Sequence, residues 1–89
     1  MSTAGFELGT IVATPGALLD FGPALIAELL SRHAGGDWGD LDAHDRRENE
    51  RGVRQGSRIF SAYDTPLGRA WVITESDRSS TCVLRPIDY

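Results

Sequence analysis

Residues Arg58–Pro86 read R-I-F-S-A-Y-D-T-P-L-G-R-A-W-V-I-T-E-S-D-R-S-S-T-C-V-L-R-P. Three runs rich in β-branched and aromatic residues stand out: Arg58–Asp64, Arg69–Glu75 and Ser80–Arg85. Each has the length of an ordinary strand. The first break, Asp64-Thr65-Pro66-Leu67-Gly68, carries Pro and Gly where a tight reversal needs them. The second, Ser76-Asp77-Arg78-Ser79, is short and polar. Breaks this short join antiparallel neighbours, because parallel strands need a long crossover. The spacing therefore predicts an antiparallel meander. Alternation puts Ile59, Ser61 and Tyr63 on one face, with Phe60 and Ala62 on the other. It sets Trp71, Ile73 and Glu75 against Ala70, Val72 and Thr74, and Cys82 and Leu84 against Thr81 and Val83. Neither face is purely polar. A helical layer is expected on one, and partial cover on the other.

Upstream, Leu8-Gly-Thr-Ile-Val-Ala-Thr is a β-prone run that can add a fourth strand. Thr14-Pro15 then reads as a helix start, with Thr as N-cap and Pro at the first helical position. Ala17, Leu18, Leu19 and Phe21 are apolar, and Gly22-Pro23 breaks that short helix. From Pro23 to His33, Leu25, Ile26, Leu29 and Leu30 recur at helical spacing and mark a buried stripe. His33 extends the stripe to the helix end, beside the edge of the core. Ala34-Gly35-Gly36 stops the helix. Asp42 can cap a third helix over about Ala43–Gln55, which Gly56 can end. That segment is almost wholly polar, and Gly52 weakens it by roughly 1 kcal/mol relative to Ala. A surface helix held mainly at its ends is expected. Together these elements define an α+β chain: two or three N-terminal helices on a three- to four-stranded antiparallel sheet.

Eighty-nine residues suit one domain with a small core, spanning 1–89, with residues 1–6 frayed. The net charge of −4 argues against nucleic acid as a general partner, since phosphate neutralisation dominates such binding. Cys82 is alone, which excludes a disulfide framework and zinc-type spacing and fits a reducing cytoplasm. The first residues lack the basic end and apolar run of a signal peptide. No apolar run reaches membrane-spanning length.

Candidate chemistry is sparse. The acidic run Asp37, Asp40, Asp42, Asp45 fails as a calcium loop: a start at Asp40 puts Asp45 at the turn glycine and Arg51 at the bidentate Glu. Neither a metal nor a cofactor is expected. Trp38, flanked by Asp37 and glycines, is either a plug between helix and sheet or an interface anchor. His33 and His44 are the only imidazoles. Acid–base work needs one beside a carboxylate in a cleft, whereas a helix-terminal His33 more simply offsets the dipole. Glu75, Asp77 and Arg78 fall at a hairpin tip, as a solvated turn or a recognition edge. Cys82 lies among apolar neighbours, as an inert thiol.

Several segments carry a resemblance: H-A-G-G-D-W-G-D-L (33–41), D-R-R-E-N (45–49), G-S-R-I-F-S-A-Y (56–63), W-V-I-T-E-S-D-R-S-S-T (71–81) and the final Pro86-x-x-Tyr89. The chain resembles a family of short bacterial proteins, labelled hypothetical or plasmid-related, met on plasmids and integrative elements. The likeness runs from about Leu8 to Tyr89 and departs at Leu67, where the family favours a polar turn residue. It implies a mobile-element context and no particular activity.

The leading expectation is a small, non-enzymatic, cytoplasmic protein-binding accessory of a bacterial mobile element, such as an inhibitor of a host defence nuclease. Its surface would be Asp37, Trp38 and Asp40 with Glu75, Asp77 and Arg78, and its state monomer or homodimer. The alternative is a small ribonuclease of the barnase or RelE-toxin kind, by fold analogy. There His33 would move the proton, Arg58 or Arg78 would steady phosphate, and Tyr63 would assist. A third reading is a dimerising accessory with an exposed sheet edge.

Overall fold

A computed structural model describes residues 5–89. In chain order the elements are strand β1 (Thr10–Ala13), helix α1 (Pro15–Ala34), helix α2 (Ala43–Gln55), and strands β2 (Ile59–Thr65), β3 (Gly68–Thr74) and β4 (Ser80–Leu84). A 3-10 turn over Pro86–Asp88 follows. The class is α+β.

The meander forms as its breaks dictate. β2 pairs antiparallel with β3, Ser61 facing Val72, and β3 with β4, Val72 facing Val83. The fourth strand corrects the all-antiparallel expectation. β1 lies beside β4 and parallel to it, Val12 level with Cys82, giving the order β1-β4-β3-β2. Two helices separate β1 from the meander, so no short turn constrains its direction. The far side of β2 is already taken by the 37–40 loop and α2, so β1 adds to β4.

Helix α1 starts where Thr14 accepts a hydrogen bond from Ala17 N–H at 3.1 Å. It is interrupted at Gly22, whose φ of 77° and ψ of 162° are not helical. Pro23 restarts it, so the expected break is a kink within one element. The stripe is as read: Ile26 and Leu29 are buried with Ala17 and Phe21 against Tyr63, Ala70, Val72 and Val83. Burying an aliphatic side chain of this size stabilises by about 1.5–3 kcal/mol.

The opposite sheet face has lighter cover. Phe60, Trp71 and Tyr89 form an edge-to-face row at 5.2 and 5.7 Å between centroids. Helix α2 is capped by Asp42, which accepts from Asp45 N–H at 2.8 Å, and ends at left-handed Gly56. The expected fraying of residues 1–6 does not extend to Phe6. Its ring is buried among Trp38, Leu41 and Ile59, and residues 1–4 lie outside the described part.

Candidate functional site

The residues singled out as a binding surface mostly hold the fold together. Trp38 is 4% exposed. Its indole N–H donates to the Glu50 carboxylate at 2.6 Å, and its ring packs against Phe6 and His33. It plugs the gap between the helix layer and the sheet and offers a partner no free indole edge, which corrects the anchor reading. Asp37 pairs with Arg32 at 2.7 Å, which holds its carboxyl below the usual range. Asp40 accepts from Asp64 N–H at 2.7 Å.

The hairpin tip is also internal structure. Asp77 accepts from Ser79 N–H at 2.9 Å, closing its own turn. Glu75 approaches Arg58 at 3.4 Å. The Arg78 guanidinium donates to three carbonyls: Ser57 at 2.6 Å, Gly52 at 2.9 Å and Glu75 at 3.1 Å. Its backbone takes a left-handed φ of 61°. A cation there also complements the C-terminal end of α2. The acidic loop is tied to β2 at Ala62 and Asp64, whereas this turn is tied to Gly52 and Ser57 at the end of α2.

The loop does a different job from the one expected. β2 is an edge strand, and its outward backbone groups are all engaged from Phe60 to the Asp64 N–H. The Asn49 side chain donates to Phe60 O at 2.6 Å and accepts from Phe60 N–H at 3.1 Å. Ala62 N–H donates to Trp38 O at 3.2 Å, and Asp40 N–H donates to Ala62 O at 2.7 Å. The Asp40 carboxylate takes the Asp64 N–H. Gly39 makes this approach possible: its φ is +76°, and a Cβ there would lie 2.0 Å from Ala62 O. Gly52 lets α2 come close, since a Cβ would meet Ile59 Cδ1 at 3.0 Å. Reading the sequence missed Asn49. The available signal was its register: Asn49, Gly52 and Val53 are spaced i, i+3, i+4 within an otherwise charged helix.

The four residues of the ribonuclease reading do not converge on a cleft. His33 is fully buried rather than at the core edge. Its Nδ1 lies 2.6 Å from Ser61 Oγ and its Nε2 2.9 Å from Thr74 Oγ1. Thr74 Oγ1 is 2.7 Å from Thr81 Oγ1, which donates to Leu8 O at 2.7 Å. That last carbonyl can only accept, so it fixes the donors as far as His33 Nε2, and a neutral ring then accepts from Ser61 at Nδ1. Thr81 spends its proton on Leu8, Thr74 donates to Thr81, His33 donates from Nε2 to Thr74, and Ser61 donates to Nδ1. The imidazole is neutral with its proton on Nε2, and burial lowers its pKa to about 4. Tyr63 is buried as well. Its hydroxyl donates to Asp37 O at 2.6 Å, and burial pushes its pKa up to about 12. Arg58 lies on the other face with Glu75 and the Tyr89 hydroxyl.

Asp42, His44 and Asp45 bring one ligand atom each within 4.8 Å of the others, all exposed. Asp42 already caps α2. The Cys82 thiol is half-buried, and burial pushes it up.

The surface also presents aliphatic side chains. Leu19 is 84% exposed, Ile87 83% and Leu67 58%. Leu67 and Ile87 line one hollow of about 320 Å³, with Phe21, Gly68 and Pro86. Its charged rim is Asp20 and Arg85, paired at 3.2 Å, and Arg69, paired with Asp64 at 2.6 Å. Arg85 is held further by Asp88, whose carboxyl lies well below the ordinary range because of that arginine. Asp88 also accepts from the Thr14 hydroxyl at 2.6 Å, which fixes the 86–88 turn against the start of α1.

Searches against protein families, curated proteins and solved structures return no match to this chain. Among the described residues no helix is long and apolar enough to cross a membrane.

Proposed function

We propose that the chain is a small protein-binding accessory without catalysis of its own, docking its partner at the hollow between the β2–β3 turn and the 86–88 turn. The carrying observation is the convergence of exposed Leu67 and Ile87 over Phe21, inside a rim of paired charges. An apolar centre with a polar rim is the anatomy of a protein interface. Anchors near such a centre carry most of the affinity. The mobile-element setting rests on the resemblance of the D-W-G-D and I-T-E-S-D-R-S segments, and the cytoplasmic setting on the lone Cys82; a host defence nuclease is the partner proposed for an acidic chain of this size in that setting.

The test is affinity capture from the bacterial host. The tagged chain would be run beside Leu67→Asp with Ile87→Asp, and beside Asp37→Lys with Asp40→Lys. The expected result is one stoichiometric protein, lost with the hollow variant and kept with the loop variant once its fold is verified. Capture that survives the hollow variant overturns the choice of surface. Growth arrest on expression, with RNA recovered in place of protein, overturns the binding reading in favour of the ribonuclease.

A further inference from the structure

The two edges of the sheet are treated very differently. Backbone groups of Phe60, Ala62 and Asp64 on the β2 edge are capped by Asn49 and the 37–40 loop. Among the described residues nothing caps the β1 edge. Thr10 N–H donates to Ser79 O at 3.0 Å and Thr14 N–H donates to Val83 O at 3.0 Å. The even-numbered residues of β1 therefore turn their backbone groups toward β4. Successive residues along a strand turn them to opposite sides. The N–H and C=O of Ile11 and Ala13 consequently point away from the sheet. None of them has a partner among the described residues. Native proteins blunt such edges with charge, proline or a bulge. β1 is short, at four residues, but it carries none of these, and its register with β4 is unbroken from Thr10 to Ala13.

We propose that β1 pairs antiparallel with β1 of a second copy about a two-fold axis at Val12, joining two four-stranded sheets into one. The occupant follows from charge. A chain of net charge −4 repels its own copy over most of its surface, but no charged residue stands between Glu7 and Asp20. On this neutral margin the partial charges of N–H and C=O are complementary to themselves under a two-fold rotation. With the axis at Val12, Ile11 of each copy faces Ala13 of the other, and each facing pair exchanges both hydrogen bonds. Thr10 faces Thr14, so no like charges oppose. Val12 meets its counterpart in the close, non-hydrogen-bonded position. Ile11 and Val12, each 44% exposed, are both covered.

Sedimentation equilibrium of the full chain, from micromolar to near-millimolar, tests this. The wild type should dimerise. Val12→Lys and Val12→Glu each place like charges at the axis and should weaken dimerisation by about tenfold or more. An equimolar mixture of the two should recover a dimer, because the opposed charges then attract. Amide hydrogen exchange on the wild type gives an independent readout: raising concentration should slow Ile11 and Ala13 and leave Thr10 and Val12 unchanged. A wild type that stays monomeric throughout overturns the proposal. So does a dimer indifferent to Val12→Lys, or a mixture that fails to re-form one.

Discussion

Lowering the pH from 7 to 5 should destabilise this protein through His33, before carboxylate protonation contributes much. In the unfolded chain the imidazole titrates near 6.5, and in the native chain burial lowers it to about 4. Between those values the unfolded state binds a proton that the native state refuses. Stability therefore rises with pH across that window and is lost as pH falls through it. The full loss is about 3 kcal/mol, and about 2 kcal/mol of it is gone by pH 5. For a domain of this size that lowers Tm by about 10 °C. The native ring has no easy way to take the proton. Both nitrogens are already engaged, and a charged ring would need Ser61 to turn from donor to acceptor. Urea denaturation at pH 7, 6 and 5 measures the effect, with His33→Gln as the second arm. The variant starts less stable, because its amide cannot reproduce both bonds, but its stability should be nearly flat over the window. A wild-type midpoint that does not move between pH 7 and 5 refutes the reasoning. So does an equal slope in His33→Gln, which would place the titrating group elsewhere.

Substitutions at two further residues test the packing of α2. Asn49→Ala strips both partners from Phe60 and should cost about 2 kcal/mol in urea denaturation. Asn49→Asp should also be destabilising, since it keeps an acceptor for Phe60 N–H but sets a carboxylate against Phe60 O; stability equal to wild type would show that the edge bonds contribute nothing. Arg78→Ala removes three carbonyl bonds and keeps a side chain at positive φ, costing about 2 kcal/mol, whereas Arg78→Gly should regain about 1 kcal/mol by relieving the backbone. An Arg78→Gly variant no better than Arg78→Ala would count against strain at that turn.

The parts of the fold written in local chemistry were legible. Thr14-Pro15, Asp42 and Gly56 mark the helix ends where they fall, and Gly22-Pro23 marks the kink. The alternation along Arg58–Pro86 separates two faces: Ile59, Ser61, Tyr63, Ala70, Val72, Thr74, Thr81 and Val83 are all buried on one, and Ala62, Ile73 and Leu84 are buried on the other. The direction of β1 was not legible. Strand orientation is set by which edge is free once the helices have crossed, and the sealing of β2 depends on contacts between positions 11 to 24 residues apart. The candidate surface was hidden for a related reason. Asp, Arg and Trp in a loop read as solvent-facing chemistry, yet here Asp40, Arg78 and Trp38 satisfy backbone groups and fill space. Leu67 and Ile87 read as ordinary aliphatics, and only the fold brings them to one hollow.

The chain of hydroxyls through His33 makes one backbone atom govern a distant ring. Leu8 O sets which nitrogen of the imidazole carries the proton, although two threonines stand between them. Attachment of the segment leading into β1 is thereby written into the ring. Should that segment lift away, Thr81 is released to donate elsewhere, the order of donors can reverse, and the proton can move to Nδ1. The two tautomers have distinct ¹⁵N frequencies, so a single histidine serves as a built-in gauge of whether the first strand is seated.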